Sequence, residues 1–135
     1  MTYAKQLLDS FRGDLNVDEG AVAAAIVALN DCAQACTADT DADLGEADVA
    51  DMVKCIRLCL NCTDLCVATV AVVSRLAEPD VNVTRPLLQA CVAICKSCGD
   101  ECERHAAKHE HCRVCAEACR RCEHACQDLL ATMTP

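Results

Sequence analysis

Apolar positions recur with helical spacing along most of the chain, and the stripe that they form is built largely of cysteine. The intervals between cysteines alternate between three and four residues, which places the thiols along one face of an α-helix. Longer gaps separate four sets, so the pattern predicts four helices whose cysteine stripes face one another. The stripe positions are Cys32 and Cys36; Cys55, Cys59, Cys62 and Cys66; Cys91, Cys95, Cys98 and Cys102; and Cys112, Cys115, Cys119, Cys122 and Cys126.

Helix-breaking residues fall between the stripes. Gly45 is suited to end the first helix, and Pro79 separates the second stripe from the third. Pro86 fits near the first turn of the third helix, with Thr84 as its cap. The helices are accordingly predicted at about residues 18 to 43, 46 to 77, 83 to 107 and 111 to 132.

The N-terminal residues form a separate short segment. Residues 1–15 place Leu7, Leu8 and Phe11 on one face, which predicts a short amphipathic helix; a frayed tail is the alternative. Residues 16–135 then form a single bundle. Because short connections make consecutive helices antiparallel, the predicted fold class is an all-α, up-down-up-down four-helix bundle.

Antiparallel pairing determines which stripe positions share a level of the bundle. When consecutive helices fold back on each other, residues equally distant from the turn between them lie at the same level. The turn near Gly45 thus places Cys36 level with Cys55, and Cys32 level with Cys59. One end of the thiol column, the floor, is then apolar, and the other end, the mouth, is polar. The floor consists of Val22, Thr69, Leu88 and Leu129, and the mouth of Asp39, Met52, His105 and Cys112, with Asp48 paired with His109 one step beyond.

Length and charge restrict the class of protein. At 135 residues the chain is the size of one domain, and its net charge of -9 argues against nucleic-acid or anionic-membrane partners. Its first residues carry charges where a signal peptide needs an apolar segment, so we expect a cytosolic protein. In a reducing cytosol the 15 cysteines are expected to be free thiols, and an odd number cannot all pair within one chain.

Fifteen thiols in one core are more than packing requires, because leucine or isoleucine would bury more apolar surface at the same positions. A thiol–disulfide enzyme needs one accessible cysteine of low pKa rather than many equivalent buried ones. Metal binding is therefore favoured. Cu(I) fits best, because at about one ion per thiolate its single charge leaves the core near neutral. Zn(II) or another thiophilic ion, and an Fe–S or thiol-redox centre, are the alternatives.

Histidines are concentrated at the mouth. His105 continues the third stripe, His109 lies one step beyond it, and His111 follows in the same junction. Imidazoles at the open end of a thiol column favour a role as metal ligands or as a gate for entering ions.

Three further mouth side chains have two interpretations. Met52 is either a thioether ligand for Cu(I) or a packing residue. The carboxylates of Asp39 and Asp48 either raise the local concentration of cations or are ordinary acidic residues at helix ends.

Two segments are apolar on every side rather than on one face. They are residues 21–29, which read AVAAAIVAL, and residues 67–73, which read VATVAVV. Helices of this kind are buried on all sides, which in a small bundle requires a partner chain.

The C-x3-C-x2-C-x3-C stripes on three helices, with C-x3-C on a fourth, closely resemble the cytosolic copper storage proteins from residue 16 onward. The resemblance implies many Cu(I) ions held by the cysteine thiolates inside a four-helix bundle, without catalytic turnover. It also implies a homotetramer and metal entry at a histidine-bearing end, which His105, His109 and His111 match. Copper chaperones or low-molecular-weight thiols are the candidate copper donors.

Overall fold

The computed structural model describes residues 2–11, 17–75 and 77–133, and every regular element within these ranges is helical. A short 3-10 turn, Val49–Met52, precedes the second long helix. The predicted all-α fold class is confirmed. The helices are α1 Tyr3–Ser10, α2 Glu19–Leu44, α3 Val53–Val73, α4 Val81–His105 and α5 Glu110–Thr132.

The four long helices pack as a closed ring. α2 contacts α3, α3 contacts α4, α4 contacts α5, and α5 contacts α2. Helices adjacent in the chain are also adjacent in space, so the topology is the predicted up-down-up-down bundle. α1 packs on α2, buries Leu8 and is the expected extra helix. The expected boundary between residues 15 and 16 lies outside the described residues.

Aspartates cap the first turns of α2 and α4. The side chains of Asp18 and Asp80 each accept a hydrogen bond from a backbone N–H of the turn that follows. The predicted cap at Thr84 is wrong, because Asp80 is the better acceptor and starts α4 about one turn earlier. Thr84 lies inside the helix, where its hydroxyl donates to the carbonyl oxygen of Asp80, and Pro86 falls in the second turn.

The predicted start of the second helix, at about residue 46, is too early. α2 ends with Gly45 as its C-cap, as predicted, but α3 begins only at Val53. Within the intervening turn, Glu46 and Asp48 direct their carboxylates toward His109 in the connection between α4 and α5. The connection between α2 and α3 is therefore longer than a tight turn.

Two segments, Glu19–Leu44 and Val49–Val73, are long and apolar enough to cross a membrane by length and composition alone. One face of each carries buried cysteines of the bundle, while Val27, Leu60 and Val67 on the outer faces are exposed. Their apolar character therefore belongs partly to the core and partly to an outer surface.

Candidate metal centre

All 15 cysteines are buried and carry free thiols. Their sulfur atoms lie along the axis of the bundle, because each helix turns its three-and-four-spaced stripe toward the other three. Sγ atoms on different helices approach to between 3.6 and 4.0 Å. The bundle therefore encloses a column of thiols instead of a conventional apolar core.

The predicted pairing of α3 with α4 is confirmed. Antiparallel helices with identical stripes bring each cysteine of α3 opposite one of α4. The Sγ–Sγ distances are 3.7 Å for Cys55 and Cys102, 3.6 Å for Cys59 and Cys98, 3.8 Å for Cys62 and Cys95, and 3.9 Å for Cys66 and Cys91.

The predicted pairing of α2 with α3 is wrong by about one stripe position. Cys32 lies 3.6 Å from Cys62 instead of level with Cys59. The cause is the long connection, since the midpoint between the paired cysteines is Ala47 rather than the expected tight turn at Gly45. Displacing α2 in this way moves Asp39 from the level of Met52 to that of Cys55, inside the column.

Cysteines from different helices form groups of four that are compact enough to hold a metal ion. Within each group all ligand atoms lie within 4.8 Å of one another. Successive groups share members, so one thiolate can bridge ions in neighbouring groups. Four of the groups are Cys32, Cys36, Cys62 and Cys119; Cys36, Cys98, Cys115 and Cys119; Cys59, Cys98, Cys102 and Cys115; and Cys32, Cys66, Cys95 and Cys122.

A further group contains a carboxylate in place of one thiol. The Oδ2 atom of Asp39 lies 3.9 Å from the sulfur of Cys55, 3.6 Å from that of Cys59 and 3.7 Å from that of Cys102. Asp39 is only 1% exposed. It is therefore a candidate ligand inside the column, a position that sequence reasoning missed by treating it as a mouth charge.

The signal for this position is present in the sequence. Cys32, Cys36, Asp39 and Asp43 step by four, three and four residues, the same intervals as the cysteine stripes of the other helices. α2 thus carries a complete stripe whose last two members are aspartates, and both are buried.

The floor is closed as predicted. Each of its four side chains is at most 2% exposed, and they are Val22, Thr69, Leu88 and Leu129. Apolar packing at this end leaves the mouth as the polar end of the column.

At the mouth, His109 and His111 are held by carboxylates. The Nε2 atom of His109 lies 3.1 Å from Asp48 Oδ2, which is the predicted pairing. The Nε2 atom of His111 lies 3.0 Å from Glu46 Oε1, and the two imidazoles stack with centroids 5.2 Å apart. The hydrogen bond from His109 lowers the pKa of Asp48. The α2–α3 connection and the α4–α5 junction therefore meet through these ion pairs.

His105 has a different partner, which sequence reasoning did not identify. Its Nε2 atom lies 3.2 Å from Oε2 of Glu101, a carboxylate only 4% exposed. Arg104 and Lys54 also approach that carboxylate, at 3.0 and 3.8 Å. Glu101 therefore fixes the orientation of His105 within the mouth. Met52, also assigned to the mouth, is fully buried.

A mixed cluster of oxygen, nitrogen and sulfur donors lies beside this end of the column. His111 Nδ1 is hydrogen-bonded to Asp39 and lies 3.4 Å from Asp43 Oδ1. The sulfur of Cys112 lies 3.6 Å from His111 Nδ1 and 3.5 Å from Asp43 Oδ1. Cys112 thus contacts mouth residues, whereas the other cysteines of α5 face the column.

The buried charges of this cluster alter one another's ionisation. Burial, together with the charge of Asp39, raises the pKa of Asp43 to about 6. Burial also raises the pKa of Asp39, against the opposing hydrogen bond from His111. For His111, burial lowers the pKa, but hydrogen bonds to Asp39 and Glu46 outweigh it and raise the pKa overall. The mouth therefore holds negative charge in a region with little water.

In the column, hydrogen bonds between thiols raise the pKa of some cysteines and lower that of others. Hydrogen bonds with Cys119 first, and then with Cys122, lower the pKa of Cys32. Hydrogen bonds with neighbouring thiols, first Cys115 for Cys36 and first Cys122 for Cys95, act with burial to raise the pKa of Cys36 and Cys95. Burial and the nearby aspartates likewise raise the pKa of Cys112. A metal ion that binds a protonated thiol must displace its proton, so binding releases protons to the solvent.

Several known proteins are similar to this chain in sequence or in structure. YhjQ of Bacillus subtilis strain 168, described as an uncharacterised cysteine-rich protein, is 33% identical over 108 residues, covering 80% of this chain and 94% of YhjQ. The structure of the copper storage protein Ccsp from Streptomyces lividans, loaded with 10 copper equivalents, is 56% identical, with a TM-score of 0.94. That match covers 96% of this chain and 99% of Ccsp.

A second structure, of copper loading to a cytosolic copper storage protein from S. lividans with five coppers, is 59% identical. Its TM-score is 0.84, and the match covers 85% of this chain and 96% of that one. The family model for copper storage proteins matches residues 18–131, which include every cysteine and every mouth residue. With its thiol column, this chain belongs to the copper storage protein family.

Proposed function

We propose that this chain is a cytosolic store that sequesters many Cu(I) ions on its 15 cysteine thiolates. The buried donor groups support storage of many ions, because they follow one another along the column and share cysteines. Two thiolates on one metal ion, with bonds of about 2.3 Å, lie about 3.8 to 4.0 Å apart. The Sγ contacts between helices span 3.6 to 4.0 Å, so ions fit with little movement of the helices.

Charge favours Cu(I) over Zn(II) inside the column. Four thiolates around Zn(II) leave a net charge of -2 at each site, and several such sites in one dry core would be costly. Cu(I) at about one ion per thiolate keeps the column near neutral. Binding and release are then the whole activity, with no turnover.

The spectrum of the loaded protein tests storage against a redox function. A reduced, metal-free sample should take up Cu(I) and stay colourless, because Cu(I) has a filled d shell. A protein that is isolated with visible charge-transfer bands, and that takes up no Cu(I), would instead be an Fe–S or redox protein.

We place metal entry at the mouth, because the floor is packed with apolar side chains. His105, His109 and His111 are the proposed first ligands for an arriving ion, and Met52, which is fully buried, is a proposed ligand after entry. Copper chaperones or low-molecular-weight thiols are suitable donors, since both deliver Cu(I) from thiolates.

Stopped-flow uptake of Cu(I) tests this entry route. Replacing His105 and His109 together by Ala should slow loading while leaving final capacity nearly unchanged, because the deeper thiols are untouched. His124→Ala is the matched control, since His124 is exposed on α5 away from the column. Equal loading rates for the double variant and the wild type would place the entrance elsewhere.

The outer apolar faces of α2 and α3 support self-association, and we propose a homotetramer. Val27, Leu60 and Val67 are 38%, 50% and 53% exposed on these outer faces, where a second chain would cover them. An anionic membrane is a poor alternative partner for a chain of net charge -9. Sedimentation equilibrium should give four chains per particle, and Val67→Lys should reduce the mass toward that of one chain.

A further inference from the structure

A cleft between α3 and α4 opens on the outer surface of the bundle, beside the mouth, where α3 begins and α4 ends. Its volume is about 330 Å³, which is at the lower end of the range for small-molecule sites. Such a volume suits a small molecule better than a folded partner. The lining residues are Lys54 and Leu58 of α3, with Ser97, Asp100, Glu101 and Arg104 of α4.

Two cations of this cleft share one carboxylate. The Nζ atom of Lys54 lies 3.8 Å, and the Nη1 atom of Arg104 lies 3.0 Å, from Oε1 of Glu101. Among the described residues, Glu101 is the one carboxylate in ion-pair contact with either cation. One carboxylate cannot occupy the three donors of an ammonium and the five of a guanidinium. Since both side chains are largely exposed, they can turn toward a further anion.

The second carboxylate of the cleft, that of Asp100, is compensated by other cations. Its oxygen atoms lie 3.0 Å from Lys96 Nζ and 2.6 Å from Arg120 Nη2. Hydrogen bonds from Arg120 first, and then from Lys96, lower the pKa of Asp100. Lys54 and Arg104 are therefore the two cations of the cleft with capacity for a bound anion.

Glu101 connects the cleft to the mouth. Its Oε1 atom faces Lys54 and Arg104, whereas its Oε2 atom lies 3.2 Å from Nε2 of His105. A molecule held by the two cations would therefore lie one side chain away from a proposed first ligand for Cu(I). Elsewhere at the mouth, the carboxylates of Glu46 and Asp48 attract a bare cation but repel an anionic carrier. The two cations give such a carrier a point of attachment beside the entrance.

We propose that Lys54 and Arg104 bind the carboxylates of a low-molecular-weight thiol that carries Cu(I), and so hold this donor beside His105. A carboxylate matches the planar fork of a guanidinium, and the ammonium adds a second charge-assisted hydrogen bond. The site rests on the proposed storage function and adds the chemical class of the donor. Transfer exchanges Cu(I) for a proton: the copper–sulfur bond to the carrier breaks as a bond to a column thiol forms, and the proton of that thiol ends on the carrier sulfur.

Stopped-flow uptake from two carriers tests the cleft. Reduced, metal-free protein is mixed with subsaturating Cu(I) bound either to glutathione, which bears carboxylates, or to 2-mercaptoethanol, which bears none. Replacing Lys54 and Arg104 together by Gln should slow loading from glutathione about three- to tenfold relative to loading from 2-mercaptoethanol, as expected for the loss of two exposed ion pairs. Replacing Arg75 and Arg121 together by Gln removes the same charge at exposed positions outside the cleft, and should leave the wild-type ratio.

A competitor provides a second readout. S-methylglutathione keeps the carboxylates of glutathione but has no thiol, so it should occupy the cleft without delivering Cu(I). It should slow loading from the glutathione complex in the wild type, and have little effect on the variant that lacks Lys54 and Arg104.

Two results would overturn the site. Equal slowing of the variant with both carriers would mean that the two cations act only through Glu101 and His105. A variant that keeps the wild-type ratio between the carriers would mean that neither cation binds the donor. The wild type separates these failures from failure of the storage function. Wild-type protein that loads from both carriers leaves storage intact while the cleft is refuted, and wild-type protein that takes Cu(I) from neither carrier refutes storage.

Discussion

Asp39 directs its two carboxylate oxygens to different partners. Oδ1 is hydrogen-bonded to His111 at the mouth, and Oδ2 faces the thiols of Cys59 and Cys102 in the column. One side chain is therefore common to the polar end and to the first group of thiols. An ion moving inward from the mouth can stay in contact with Asp39 as it exchanges imidazole for thiolate ligands.

We expect Asp43→Asn to stabilise the metal-free protein at pH 8. The pKa of Asp43 is raised by burial and by the charge of Asp39 from 3.8 to about 6, so the folded protein binds the proton more tightly than the unfolded chain does. The wild type therefore gains stability from this group as the pH falls from about 6 toward 4, and lacks that gain above 6. The advantage of the variant should be about 1 to 3 kcal/mol at pH 8.

Urea unfolding of reduced, metal-free protein at pH 8 and at pH 4 measures this difference. The advantage of Asp43→Asn should disappear near pH 4, where Asp43 is already neutral in the folded wild type. Asp41→Asn serves as the control, because Asp41 is exposed on the same helix. A variant less stable than the wild type at pH 8 would mean that ionised Asp43 stabilises the fold.

At the scale of residues, the sequence predicts the cysteines far better than their polar neighbours. Burial of a thiol stripe follows from spacing alone. The role of Asp39 is harder to predict, because aspartate at a helix end has ordinary structural explanations. The partner of His105 is harder still, since Glu101 lies beside the cysteine stripe and is buried by tertiary packing, with Lys54 of α3 3.8 Å away.

At the scale of helices, alignment depends on the connections. α3 and α4 pair as predicted, because four matched thiols on each helix restrict their alignment. α2 carries only two cysteines, so its position depends on the turn at residues 45–52. Carboxylates of that turn bind mouth histidines distant in sequence, an interaction that local pattern cannot predict.

The floor offers a test of helix packing that is independent of metal. Leu129, on α5, is 2% exposed, so Leu129→Ala should leave a cavity and lower the free energy of unfolding by about 2 to 5 kcal/mol. Loading with Cu(I) should change much less, since the mouth is unaltered. Gln127→Ala, at an exposed position of α5, is the control for denaturant unfolding of the metal-free protein.

Stopped-flow uptake by the same variant provides the second readout. If Leu129→Ala loads Cu(I) faster than the wild type, ions enter through the floor, and the two ends of the column have been assigned the wrong way round.

At the scale of the whole molecule, the bundle should fold without metal. Its helices are held together by packing around buried thiols that are neutral when protonated, and the floor adds an apolar cluster. This distinguishes the chain from small metalloproteins whose folding requires their ion. Circular dichroism of a reduced, chelator-treated sample should therefore show a helical protein with a cooperative thermal transition. A random-coil spectrum that becomes helical only on adding Cu(I) would contradict this expectation.

The overall fold was predictable because one residue type marks the inner face of every long helix. The outer surface was less so: apolar segments on α2 and α3 indicate a partner but not its arrangement. The number of chains depends on the match between whole surfaces rather than on any local pattern.

Anaerobic titration of the reduced protein with Cu(I), against a competing chelator, measures how many ions the thiol column holds. If the thiol column is a copper store, the chain should bind on the order of one Cu(I) per thiolate, about 15 ions or somewhat more, before the chelator retains copper. Saturation below about five ions per chain, with most thiols still reactive toward a thiol reagent, would contradict storage in the column.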